Sequence, residues 1–153
     1  MRRDERAVED INAIFDILSR CDTISLGMNA GEYPYIIPMT FGCEQKDGKI
    51  IVYIHSAKAG RKWDILMKDP SVCVEGHLYY RVEKSEGGIT ARYESVIGTG
   101  KAELITEQAE KVAAFKIMLA HYNNTGFPVT SCKGLPNCEV FRIELNEVCG
   151  KRN

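Results

Sequence analysis

Between Tyr53 and Asp64 the chain reads Tyr-Ile-His-Ser-Ala-Lys-Ala-Gly-Arg-Lys-Trp-Asp. A strand-like run ends, small residues follow, and Gly60 precedes Arg61 and Lys62 at the start of a helical pattern. The free N–H groups and positive dipole end of a helix N-terminus attract an anion before any side chain is counted. That dipole contributes only about 0.3–1 kcal/mol. Charge-assisted hydrogen bonds from Arg61 and Lys62 add about 1.5–3 kcal/mol each, so the cations dominate. Ser56 supplies a hydroxyl, and a phosphate monoester is the natural guest. Lys58, Arg61 and Lys62 would also suit an ordinary solvated helix; the strand–Ser–Gly–Arg–Lys–helix order is what favours a site. A Walker A loop is excluded, because its first glycine and its Lys-Ser/Thr ending are missing.

The elements around this segment follow from periodicity. Val8, Ile11, Phe15 and Leu18 predict an amphipathic helix over 6–20. Strands are expected over 23–28, 34–44 and 49–54, the last two joined by the hairpin signal Asp47-Gly48. A polar loop over 55–60 leads to a short helix over 61–68, which Asp69-Pro70 ends. Two long strands, 72–81 and 92–106, flank the turn Ser85-Glu86-Gly87-Gly88. A helix over 107–122, a Gly/Pro-bearing loop and a last strand over 139–148 complete the chain. Six strands joined mostly by hairpins, with helices at the periphery, predict a closed or nearly closed antiparallel barrel, mainly β within the α+β class. At 153 residues, 1–153 is expected to form one domain.

Twenty basic and twenty-one acidic residues give a net charge of −1, which offers no global attraction for nucleic acid or an anionic membrane. The apolar runs fall far short of the ~20 residues that span a bilayer. Arg2, Arg3, Asp4, Glu5 and Arg6 do not resemble a signal peptide, so a cytoplasmic location is expected. The six cysteines follow no disulfide framework and are expected as free thiols. Cys132 and Cys138 match no common zinc spacing, and no metal site is expected. Gly98-Thr99-Gly100 lacks the third glycine of a dinucleotide fingerprint and reads instead as a bulge or a close backbone approach. His77 and His121 read as structural or exposed, and no nucleophile–base pair is visible.

Four blocks add a resemblance. They are Ile37-Pro38-Met39-Thr40-Phe41-Gly42, His55 to Lys62, Asp69-Pro70-Ser71-Val72-Cys73, and Ser95-Val96-Ile97-Gly98-Thr99-Gly100-Lys101-Ala102. In order and spacing they resemble the nitroimidazole-resistance branch of the pyridoxamine-phosphate-oxidase-like, FMN-binding split-barrel proteins. The similarity runs nearly the whole chain, to Gly150-Lys151-Arg152.

The resemblance implies a six-stranded split barrel that binds FMN at the interface of a homodimer. On it, Ser56, Gly60, Arg61 and Lys62 belong to the phosphate loop. Met39, Thr40 and the backbone around Ile54 line the isoalloxazine, and Ser95 approaches from a later strand, in one arrangement from the partner subunit. For Met39 and Thr40, ordinary barrel packing explains the residues as well. His55 occupies the position where that branch carries a histidine near the flavin; a strand-end cap is its other reading. The implied activity is electron transfer from a nicotinamide donor through FMN to a small acceptor such as a nitroaromatic. The rival is a non-enzymatic flavin-storage module, or a haem-binding relative on the same barrel. The sequence lacks the arginine- and tryptophan-bearing C-terminal segment with which true pyridoxamine-phosphate oxidases grip their substrate, so that oxidation is not expected.

Overall fold

The computed structural model describes residues 3–153; Met1 and Arg2, and with them part of the N-terminal charge pattern, lie outside the described residues. In chain order the elements are β1 (Ala7–Val8), α1 (Ile11–Ser19), β2 (Ile24–Met28), β3 (Tyr35–Met39), β4 (Gly42–Lys46), β5 (Lys49–Ala57), α2 (Arg61–Lys68), β6 (Ser71–Ser85), β7 (Gly88–Leu104), α3 (Gln108–His121) and β8 (Cys138–Arg152). Helix α1 begins later than the periodicity predicts because Asp10 caps it. The Asp10 carboxylate accepts from the backbone N–H groups of Asn12 and Ala13, each at 3.3 Å. Before it, Asp4–Arg6 make one 3₁₀ turn, and Ala7 and Val8 are extended and pair with Lys151 and Gly150.

All eight strands join one antiparallel sheet, ordered β3-β2-β6-β7-β8-β5-β4, with β1 on β8. The two strands beyond the expected six come from β1 and from a break in the expected strand 34–44 at Thr40-Phe41. That break has a structural meaning. Strands β3 and β4 are the two edges of the sheet, yet only Thr40 and Phe41 separate them in sequence. The sheet therefore curls until its edges meet without a ladder between them, which makes a split barrel.

Strand β5 is covered on both faces. Ile50, Val52 and Ile54 point into the barrel with Phe41, Phe141 and Ile143, all fully buried. Ile51 and Tyr53 point outward and meet Ala114 and Met118 of α3. Double burial explains why this stretch reads as a continuous apolar run instead of an alternating one. Gly42 lets α3 sit directly on β4, since a Cβ there would lie 2.6 Å from the Met118 Cα. Helix α1 closes one end of the barrel with Ile14, Ile17 and Leu18. A shared carboxylate fastens it there: Glu94 of β7 accepts from Arg20 at 2.8 Å, and from Tyr80 and Arg152.

The outer face of β3, β2, β6 and β7 has no helix over it, and Ile36, Ile97 and Tyr79 stand exposed there. The β6–β7 hairpin is longer than expected and turns at Glu86-Gly87. The expected bulge appears as a register shift between Thr99 and Gly100 against β8. All six cysteines are free. Burial pushes the Cys21 thiol up to about 11 and the Cys43 thiol up to about 12, which keeps both protonated. Among the described residues no helix is long and apolar enough to cross a membrane, and no cluster of ligating side chains could hold a metal ion.

Candidate functional site

Strand β5 continues to Ala57, so His55 and Ser56 are strand residues and the expected loop shrinks to Lys58-Ala59-Gly60. Pairing with β8 sustains the extension: His55, Ser56 and Ala57 lie opposite Val140, Glu139 and Cys138. Gly60 then turns the chain at φ 98°, a backbone region that disfavours any side chain, and α2 starts at Arg61. Leu66 and Trp63 seat this helix, with the Trp63 ring 5.9 Å from Phe141.

Helix α2 lies across the split. Half-buried Lys62 bridges β5 and edge strand β3, donating from Nζ to the His55 carbonyl at 3.0 Å and approaching the Met39 sulfur at 3.5 Å. The Arg61 guanidinium lies 4.6 Å over the Tyr35 ring on β3. Met39, His55, Gly60, Arg61 and Lys62 are thus brought together, with Thr40 at the adjoining break. Ser56 is buried and donates its hydroxyl proton to the Ala57 carbonyl at 2.9 Å. The Ile54 side chain is sealed in the core, leaving only its backbone at this end.

Among the described residues neither Arg61 nor Lys62 has a carboxylate partner. Lys58 does: it pairs at 3.0 Å with Glu139, which also binds Lys111 of α3. Burial alone would raise the Glu139 carboxyl, but the hydrogen bonds from Lys111 and Lys58 outweigh it and hold the carboxyl below its ordinary value. Burial lowers Lys62. Burial first, then the Lys62 charge, lowers His55.

Neighbouring strand residues point to opposite faces. His55 consequently faces away from the barrel interior toward α3, its ring 6.1 Å from Phe115. Beside it opens a recess of about 260 Å³ lined by Thr40, Phe41, Phe115, Met118, Leu119 and Tyr122. Tyr122 fixes the Thr40-Phe41 break, since its hydroxyl accepts from the Phe41 N–H at 3.1 Å and donates to the Asp22 carbonyl at 2.8 Å. His121 stacks 4.3 Å from Phe41 and holds the Cys21 carbonyl at 2.8 Å, a structural role as expected.

The sequence profile of the pyridoxamine 5′-phosphate oxidase family matches residues 10–152. The chain belongs to this family. No curated protein matches the sequence significantly. Solved structures do. A candidate 5-nitroimidazole antibiotic resistance protein from Bacteroides thetaiotaomicron is 28% identical, with a TM-score of 0.82 over 95% of this chain and 85% of that one. A flavocytochrome from Azotobacter vinelandii (22% identity, TM-score 0.79, covering 100% and 72%) shares the fold. So does an FAD- and haem-binding protein from Mycobacterium smegmatis (15%, TM-score 0.80, 97% and 73%).

In this family member Ser95 stands apart from the other expected site residues. On β7 it pairs with His77 and Lys151, three strands from Met39 across β2 and β6. It belongs to the helix-free outer face, near a larger cleft of about 590 Å³ that includes Cys73, Glu75 and Thr99. The structure also adds residues that sequence reasoning missed. Lys111 and Glu139 join the anion segment, and Phe115 and Met118 wall the His55 recess. No local pattern marks these, because each is brought in by α3 or β8 from far along the chain.

Proposed function

We propose that this protein is an FMN-dependent oxidoreductase that passes electrons from NAD(P)H to a small acceptor such as a nitroaromatic, and that it works as a homodimer. One observation carries the reading: Arg61 and Lys62 sit at the split, on a helix N-terminus, with no carboxylate among the described residues to neutralise them. Two uncompensated cations suit one phosphate dianion. A dinucleotide's second phosphate would find Lys58 already paired with Glu139, which favours FMN over FAD. The neighbours that bind flavin or haem, and the candidate nitroimidazole-resistance protein, support a flavin on this barrel and the nitroaromatic class of acceptor.

When bound, the flavin supplies the acceptance of hydride and its release as electrons. The chain supplies the rest. Arg61, now over the Tyr35 ring, and Lys62, now on a carbonyl, would hold the phosphate; Ser56, its proton committed to Ala57, would contribute less. Met39, Thr40 and the Ile54 backbone would line the flavin, and His55 would offer an imidazole for a hydrogen bond or a proton. Ser95, on the exposed outer face with Ile36 and Ile97, would belong to the site of a second copy docked there.

The deciding experiment is the absorption spectrum of the purified protein and the identity of the cofactor released on denaturation, followed by NADH and NADPH oxidation assays. FMN and donor-dependent turnover are expected. FAD, haem, or no cofactor after reconstitution with FMN would overturn the reading. Light scattering at micromolar concentration should report twice 17.2 kDa.

A further inference from the structure

We propose that His77, held by Glu75 and standing beside Ser95 on the outer face of β6 and β7, delivers a proton to the flavin site of a second copy of this chain. This rests on the oxidoreductase reading and adds a residue to that site.

The reaction itself calls for such a group. A nitro group that accepts two electrons takes up two protons, releases one oxygen as water and leaves as the nitroso compound. The nicotinamide donor gives the two electrons and one proton together as hydride. The second proton therefore enters from water through a side chain. His55 suits that traffic poorly, since burial and the Lys62 charge hold its imidazole neutral.

His77 has what His55 lacks. Its side chain is 63% exposed, and a cavity of about 260 Å³ beside it, bordered by Asp22, Thr23 and Glu75, has room for the water that recharges it. Nδ1 lies 2.8 Å from the Glu75 Oε1. A carboxylate only accepts, so this nitrogen donates and Nε2 is left to carry the mobile proton. In the ladder Ser95 lies between His77 of β6 and Lys151 of β8. Directly opposed residues share a face, with Cβ atoms about 4.5–5.5 Å apart, so the Ser95 hydroxyl is within reach of the imidazole.

Two observations assign this row to a second copy. Met39 points into the core, whereas His77 lies two strands away and faces outward, so it does not serve the site of its own chain. Exposed Tyr79 and Ile97 flank the row, with Ile36 on the same helix-free face, and clustered apolar side chains of this kind mark a contact with another protein.

The test directs FMN to one chain of a heterodimer. Chains carrying Arg61→Ala and Lys62→Ala are paired, through two affinity tags, with chains carrying His77→Ala. FMN then seats on the His77→Ala chain and meets the intact His77 of the other, so turnover per bound flavin should match that of the unaltered dimer. Placing all three substitutions on one chain, opposite an unaltered one, should lower it by about 10²-fold. Added imidazole should recover about tenfold of that loss, because it replaces a proton carrier and not a structural prop. Without any turnover, FMN added to the flavin-free protein should shift the His77 ring signal in NMR spectra. The Arg61→Ala/Lys62→Ala homodimer should show no such shift. Equal turnover in the two heterodimers would overturn the proposal, as would a loss confined to the first. So would an unmoved His77 signal, or a loss that imidazole does not relieve. A protein that takes up no FMN sinks the oxidoreductase reading; one that binds FMN and turns over, yet gives these results, sinks only the role of His77.

Discussion

Two cationic clusters on different elements of this barrel contrast, and the contrast separates structure from site. In the first, Arg20 and Arg152 converge on Glu94, with Tyr80 completing its hydrogen bonds and Asp16 sharing Arg20. Glu94 is almost wholly covered, at 7% side-chain exposure. Burial alone would raise its carboxyl, but Tyr80, Arg20 and Arg152 outweigh that and hold it down to about 2. In the second, Arg61 rests on a ring and Lys62 on a carbonyl and a thioether. The first cluster is complete in itself, and its charges are spent on joining α1, β6, β7 and β8. The second holds two charges in place with weak partners that an anion can displace. A local excess of cation over carboxylate is thus a better sign of a ligand site than a count of basic residues.

The sharpest way to break this contrast is to delete each cluster and ask which property falls. Replacing both Arg61 and Lys62 by alanine should weaken FMN binding by roughly 10²–10⁴-fold, the loss of two contacts worth about 3–6 kcal/mol together. Riboflavin affinity and the cofactor-free melting temperature should hardly move; an unchanged FMN dissociation constant would place the phosphate elsewhere. Glu94→Gln should do the opposite, costing about 1–3 kcal/mol of stability by removing the buried charge that the partly exposed Arg20 and Arg152 share, while FMN affinity stays level. The pH dependence has a definite sign. The folded carboxyl is depressed, so its stabilisation is complete above the ordinary value of 4.5 and is lost as pH falls from there toward about 2. Chemical denaturation across that window should show a slope in the wild type that Glu94→Gln lacks.

Two smaller effects sharpen the picture within the site. His55→Ala should lower acceptor reduction per bound flavin by about 10²-fold, with FMN affinity within a few-fold of wild type. Intact turnover per flavin, together with a lower melting temperature, would reduce His55 to a strand-end cap. Glu139→Gln should be the mildest change. It frees exposed Lys58 and should raise FAD affinity relative to FMN by about twofold to fivefold. A constant ratio would show that Glu139 has no part in choosing between the two.

Much of this was legible in the residues, and what was not has a common cause. Helix α2 falls at the expected 61–68, because Gly60 and Asp69-Pro70 bound it within the sequence itself. The hairpin at Asp47-Gly48 is equally local, with φ 52° and 74° at the two turn positions. The break at Thr40-Phe41 is not local: Tyr122, eighty-one residues beyond Phe41, holds it. The overrun of β5 to Ala57 depends on β8, and the reach of Lys111 to Glu139 on how α3 packs. The site followed the same rule. Arg61 and Lys62 announced themselves by spacing, whereas the His55 recess exists only because Phe115, sixty residues later, is folded against it. Ser95 was visible in the sequence, but its place on the outer face of β7, three strands from Met39, was not.

Strand β8 also governs how the molecule comes to be made. It pairs with β7, β5 and β1, so the latest-synthesised segment of the sheet sits between strands made much earlier. Until Cys138–Arg152 leaves the ribosome, β5 has only β4 beside it and the barrel cannot close. Pairings of such long sequence separation slow folding and prolong the exposure of unpaired apolar strands. For the nascent chain that vulnerable stretch is Ile50–Ile54, the most thoroughly buried run of the finished barrel, which spends translation with one edge open.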